Sequence, residues 1–226
     1  MTVKIPIKGD VMDSDWGTIM DSVGMTNVNP TSFQKALNSA NGEDVELDIA
    51  SNGGIVESAT EIASLIHDYA GKVTTVVQSA AYSAASIIAV SGDVVKMAPT
   101  ALMMIHRASV QSAGNTNDLS HDAIMLATVD KALAAAYQAK TGKSQEEILN
   151  LMNNETWLTA QDAVDQGFAD EIQENAKELV VTNSLSPLIS AETIEKLKTL
   201  KNAKNDDVEK SHQTILNNKL KILKEE

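Results

Sequence analysis

The chain contains no cysteine. That absence excludes a disulfide framework, a thiol nucleophile and a cysteine-ligated zinc site, and leaves any chemistry to oxygen and nitrogen. Basic residues are few: 18 Lys and Arg stand against 31 Asp and Glu, for a formal net charge of −13. A chain this anionic is repelled by phosphate backbones and acidic lipid, so neither nucleic acid nor a membrane surface is expected as a partner. Long apolar runs are missing too. Stretches such as Ala84 to Val90 and Ala98 to Ile105 fall well short of the roughly 18 residues a membrane helix needs. The opening residues, Met1 to Asp10, lack the basic-then-apolar order of a secretory signal, and a cytoplasmic location is the expectation.

What is present is 226 residues, 43% of them hydrophobic, enough for one generous domain or a domain with an appendage. Val3 to Gly9 alternates apolar with polar residues, and Pro6 places that strand at a sheet edge. Pro30 to Ala40 has helical spacing through Phe33, Ala36, Leu37 and Ala40, with Thr31 or Ser32 as its expected cap. From there strand and helix alternate. Val45 to Ala50 precedes Ser51-Asn-Gly-Gly and a helix from about Ile55 to Tyr69; Lys72 to Gln78 precedes a small apolar helix over Ser83 to Val90. Two further strands are expected at Asp93 to Pro99 and Ala101 to His106, then a long helix starting near Asn117 or Ser120 and running to Lys140. Capped helices open at Ser144 and Thr159, and a last strand lies at Ala169 to Ile172. The alternation predicts an α/β architecture with right-handed crossovers.

Three features could carry chemistry. The turn Ser51-Asn-Gly-Gly presents backbone N–H groups ahead of a helix, although a plain tight turn reads the same way. Ser79 to Ser86 places serines among small residues at a strand-to-helix turn. There a hydroxyl meets the positive end of a helix and the next N–H can face a developing oxyanion; a buried Ala/Ser-rich helix is the ordinary alternative. Of four histidines only His106 ends a core-like strand, and a lone histidine there is more often a satisfied core residue than a catalyst. Together, in this order, they supply oxyanion donors, a nucleophile and a general base on one face of a parallel sheet.

Asp48 to Gly54, Ala81 to Ser86, Met104-Ile-His-Arg107 and Glu155 to Asp170 resemble four successive blocks of the ClpP-type serine peptidases, in particular the versions encoded by phages and prophages. The resemblance spans about residues 15–175. It implies the ClpP/crotonase-like spiral of strand-turn-helix units with a long handle helix. It also implies Ser83 as nucleophile, His106 as general base, the N–H groups of Gly54 and Ala84 as the oxyanion hole, and Glu155 as the third member in the place of the family's aspartate. Asn52 stands where the family has proline, and Tyr82 where it has alanine, so Ser86 is a rival nucleophile; Ala84-Ala85 after Ser83 favour the latter. The implied activity is that of a serine endopeptidase working through an acyl-enzyme with no metal or organic cofactor. The implied assembly is a homo-oligomeric ring, a heptamer or stacked double ring. Substrates would be proteins or peptides, with scaffold or capsid protein during phage head maturation as the specific case, in the host cytoplasm or inside proheads. With only seven aromatic residues in the chain, no aromatic-rich surface for an unfoldase is evident.

Two other readings share these features. A crotonase-type acyl-CoA enzyme uses the same spiral and glycine turn, and leaves the serine and histidine without a task. A non-catalytic ClpP-like ring or scaffold is the reading prompted by Glu155 in the triad position. Residues 191–226 hold eight Lys against seven acidic residues, a balance unlike that of the rest. The expected division is a peptidase domain over 1–184 and a charged helical tail over 185–226, whose leucines and isoleucines need a partner surface to be stable.

Overall fold

β-branched and apolar alternation supplies a set of short parallel strands whose C-terminal ends converge on one edge. The structure, a computed structural model, describes residues 2–173; the boundary expected at 184/185 and the tail beyond it lie outside the described residues. Strand β1 (Val3–Lys8) pairs in parallel with β4 (Val45–Ser51), which pairs with β5 (Val73–Tyr82). β1 is the edge that Pro6 indicates: it has a single neighbour, so the missing N–H of the proline breaks no central ladder. Two minor strands, β2 (Asp10–Val11) and β3 (Asn27–Val28), form a parallel pair of their own, with helix α1 (Ser14–Ser22) between them. The sequence pattern was silent on this segment.

On the side away from β4, β5 serves two partners. Its first half, Thr74 to Val77, pairs with β6 (Val94–Met97), and its last three residues, Ala80 to Tyr82, pair with β7 (Leu102–Ile105). Between them the register with β4 shifts past Ile49, and such an irregularity bends a strand. β6 carries β9 (Glu171–Ile172) at the far edge, and β7 carries β8 (Thr156–Thr159) in antiparallel register. β8 is the antiparallel member of an otherwise parallel sheet, as an α/β architecture allows.

Helices α2 (Pro30–Ala40), α3 (Val56–His67), α4 (Ala84–Val90), α5 (Thr116–Thr141), α6 (Gln145–Asn153) and α7 (Ala160–Asp165) cover the sheet. Two caps fall earlier than expected. Asn29, not Thr31 or Ser32, caps α2, because Pro30 needs no N–H partner and takes the first helical place. Asn115 caps α5 in a reciprocal box with Asp118. The predicted boxes at Ser144 and Thr159 form with Glu147 and Asp162. α4 is buried along its whole length, packed between the sheet and α5 with Leu133, Ala134 and Tyr137 also inside the core. Among the described residues no helix is long and apolar enough to cross a membrane.

Candidate active site

β5 ends at Tyr82 and α4 begins at Ala84, so the chain reverses through one residue, Ser83. Its backbone takes φ 54 and ψ −127, a left-handed conformation that costs a non-glycine residue about 1–3 kcal/mol and survives only where neighbours over-determine it. They do. The Ser83 N–H donates to the Met104 carbonyl at 2.9 Å, continuing the β5–β7 ladder. The Ser83 carbonyl accepts both the N–H of Ser86, at 2.9 Å, and the hydroxyl of Ser86, at 2.6 Å.

The same ladder delivers the histidine. β7 lies beside the end of β5, Tyr82 opposite Met104, so His106 emerges next to the turn although 23 positions separate it from Ser83. Its Nε2 lies 2.7 Å from the Ser83 Oγ, within hydrogen-bond reach; in the tautomer that carries its proton on Nδ1, the ring accepts from the hydroxyl. Two places beyond, the Ala108 N–H donates to the buried Asp130 of α5 at 2.9 Å, and the Arg107 guanidinium approaches the other oxygen of that carboxylate at 3.5 Å. The segment after His106 is thereby tied down.

The glycine turn touches the serine turn. Val11 and Gly54 form a parallel bridge in which Val11 N–H donates to the Gly53 carbonyl and Ile55 N–H to the Val11 carbonyl. The alternation of such a bridge turns Gly54's own N–H away from Val11. At Gly54, with φ +149, a Cβ would sit 2.1 Å from the Val11 oxygen. At Gly53, with φ +94, it would meet the Tyr82 oxygen at 2.5 Å and the Ser83 Cβ at 2.8 Å. Only glycine lets the two turns approach this closely. The Ala84 N–H, first in its helix, has no intrahelical acceptor.

The remaining sequence candidates are placed differently. Ser86 is fully buried, and its hydroxyl is engaged by Ser83 and by the Tyr137 hydroxyl at 2.8 Å. Glu155 lies one place outside the last β7–β8 pair, Ile105 with Thr156, and its φ of 47 takes the backbone out of the extended conformation there. Its side chain is exposed and accepts from the Trp157 indole N–H at 3.3 Å. Among the described residues His106 makes its side-chain hydrogen bond to Ser83 alone. Sequence reasoning missed Asp130 and Tyr137. A polar tip on the Leu133-Ala134-Tyr137 stripe of α5 was the available signal for the latter.

A small pocket walled by Val56, Ala59, Ile87 and Leu133 opens onto Ser83 and His106. A groove of about 430 Å³ runs past the glycine turn, lined by Met12, Trp16, Met20, Gly53, Gly54 and Ile55. A hydroxyl on an imidazole at the wall of a small pocket can perform acyl transfer. The chain belongs to the Clp protease family, which it matches over residues 32–176. It is 31% identical over 140 residues to the ATP-dependent Clp protease proteolytic subunit of Streptococcus sanguinis, covering 60% of this chain and 71% of that one. To the corresponding subunit of Streptococcus pneumoniae it is 28% identical over 163 residues, 70% of this chain and 82% of that one. To subunit 2 of Tropheryma whipplei it is 26% identical over 133 residues, 58% and 74%. This homology supports a peptidase function.

Proposed function

We propose that the chain is a serine endopeptidase in which Ser83 attacks a peptide carbonyl, His106 takes the serine proton and later returns it to the leaving amine, and water releases the acyl-enzyme. The observation that carries this reading is the 2.7 Å contact between Ser83 Oγ and His106 Nε2. The N–H groups of Gly54 and Ala84 receive the tetrahedral oxyanion; one such donor is typically worth about 10²–10³ in rate. Glu155 orients the imidazole once its carboxylate leaves the Trp157 indole. A crotonase-type reading leaves the Ser83–His106 contact without a role. A fluorophosphonate probe should label the wild-type chain and leave Ser83→Ala unlabelled; labelling that persists in that variant refutes the assignment.

The chain works as a ring of identical copies in the cytoplasm. Support comes from exposed apolar side chains on α5, namely Leu119, Ile124 and Met125, on α1, namely Trp16 and Ile19, and at its C-cap, Val23, which contact between copies would cover. Sedimentation at micromolar concentration tests this, and a monomer refutes it. Action on scaffold or capsid protein in phage head maturation is the finer reading. It rests on the resemblance of the sequence blocks Asp48 to Gly54, Ala81 to Ser86, Met104 to Arg107 and Glu155 to Asp170.

A further inference from the structure

The Ser83 carbonyl and the Ala84 N–H belong to one planar trans peptide and point in opposite directions. Whatever grips the carbonyl therefore aims the N–H. Two groups of Ser86 grip it, the backbone N–H at 2.9 Å and the hydroxyl at 2.6 Å, which occupy both lone pairs of the carbonyl oxygen. The Ser86 hydroxyl has a single proton and gives it to that carbonyl, so in the 2.8 Å contact with Tyr137 the phenol is the donor. A directed chain results: Tyr137 O–H to Ser86 Oγ, Ser86 O–H to Ser83 O. Each bond polarises the next.

Tyr137 is suited to anchor it. The ring is 2% exposed and packs edge-on against Phe168 with centroids 5.8 Å apart. Burial holds its phenol well above the usual range, against the smaller opposing effect of the Ser86 hydrogen bond, so the proton stays in place at any working pH. Ser86 is wholly buried, out of reach of solvent that could compete for its hydrogen bonds.

We infer that Tyr137 and Ser86 are positioning residues that lock the Ser83–Ala84 peptide plane and hold the Ala84 N–H on the oxyanion. The inference rests on Ser83 being the nucleophile. It gives the second serine of the Ser83-Ala-Ala-Ser86 segment a task other than attack, and it extends the machinery to the long helix α5.

The test uses the full-length chain with Ser86→Ala, Tyr137→Phe, the double variant and Ser83→Ala. The readouts are the rate of fluorophosphonate labelling across pH and the thermal midpoint. Ser86→Ala should slow labelling roughly ten- to a hundredfold, below the full loss of a donor, with no shift of the pH midpoint because His106 is untouched. Tyr137→Phe should slow it less, since Ser86 can still donate to the carbonyl. In the double variant both buried polar groups are gone, so most of the stability lost in Ser86→Ala should return while labelling stays slow. Labelling that recovers together with stability makes the pair merely structural and overturns the proposal. So does wild-type labelling in the double variant when Ser83→Ala is unlabelled, and that result leaves the nucleophile standing. Labelling that persists in Ser83→Ala overturns both.

Discussion

Replacing Gly53 by alanine puts a methyl group into the contact between the two turns that build the site. The added carbon would lie 2.5 Å from the Tyr82 oxygen, 2.8 Å from the Ser83 Cβ and 2.9 Å from the Ala84 nitrogen. Backbone atoms supply two of these contacts, so no side chain can swing clear. Relief requires the turns to part by about 0.5–1 Å, and overpacking of this kind costs about 1–3 kcal/mol. Alanine at φ +94 adds about 1–2 kcal/mol of backbone strain. The total of about 2–5 kcal/mol corresponds to a fall in Tm of roughly 4–20 °C for a chain of this size. Activity should suffer more, because a displacement of about 1 Å at the reacting groups can cost about 10²-fold. Gly142→Ala is the internal control: its φ of +71 is similarly left-handed, but nothing lies within 4 Å of the added carbon. It should lose about 1–2 kcal/mol of stability and label at the wild-type rate. Thermal melts and fluorophosphonate labelling of both variants decide the matter. A Gly53→Ala chain that melts and labels like the Gly142 variant refutes the argument that the glycine turn sets the position of Ser83.

Glu155 holds φ 47, a strained value for a carboxylate residue, so Glu155→Gly should keep or raise the melting temperature while slowing labelling by roughly 10²–10⁴-fold, the range that follows loss of a triad carboxylate; unchanged labelling in this variant and in Glu155→Gln removes Glu155 from the mechanism. Asp162 has its carboxyl held below the ordinary value of 3.8, first by the Thr159 hydroxyl and then by the Thr159 N–H. A lowered folded-state pKa gives stability that is fully present above the unfolded value and disappears as pH falls through the folded one. Asp162→Asn should therefore melt below wild type at pH 7, and the two curves should converge below about pH 3.8; a difference in melting temperature that persists unchanged into acid contradicts the box as its source.

Most of the fold was legible because most of its elements announce themselves locally. The α2 stripe through Phe33 and Leu37, the αL stop at Asn41, the boxes at Ser144 and Thr159, and the β-branched run at Val73 depend on neighbours within a turn or two. The caps at Asn29 and Asn115 were misplaced by one or more positions because a proline or a second candidate cap followed them. α1, the two-residue β2 and β3, and the antiparallel β8 carried too few residues to show a period. The site was half legible. Ser83, His106 and the glycine turn stood out by type and order, whereas Asp130 and Tyr137 are ordinary members of a helix until the partner across the core is known.

By itself the sequence determined the strand and helix periods, the family blocks and the residue types available for chemistry, since these follow from side-chain chemistry and spacing along one chain. The tertiary structure alone decided that β5 bends from β6 to β7 and so sets His106 on Ser83. It also decided that a phenol 51 positions away reaches the Ser86 hydroxyl, and that the Glu155 carboxylate rests on the Trp157 indole. Those outcomes depend on strand register and on distances across the core, where a shift of one residue turns every side chain to the opposite face.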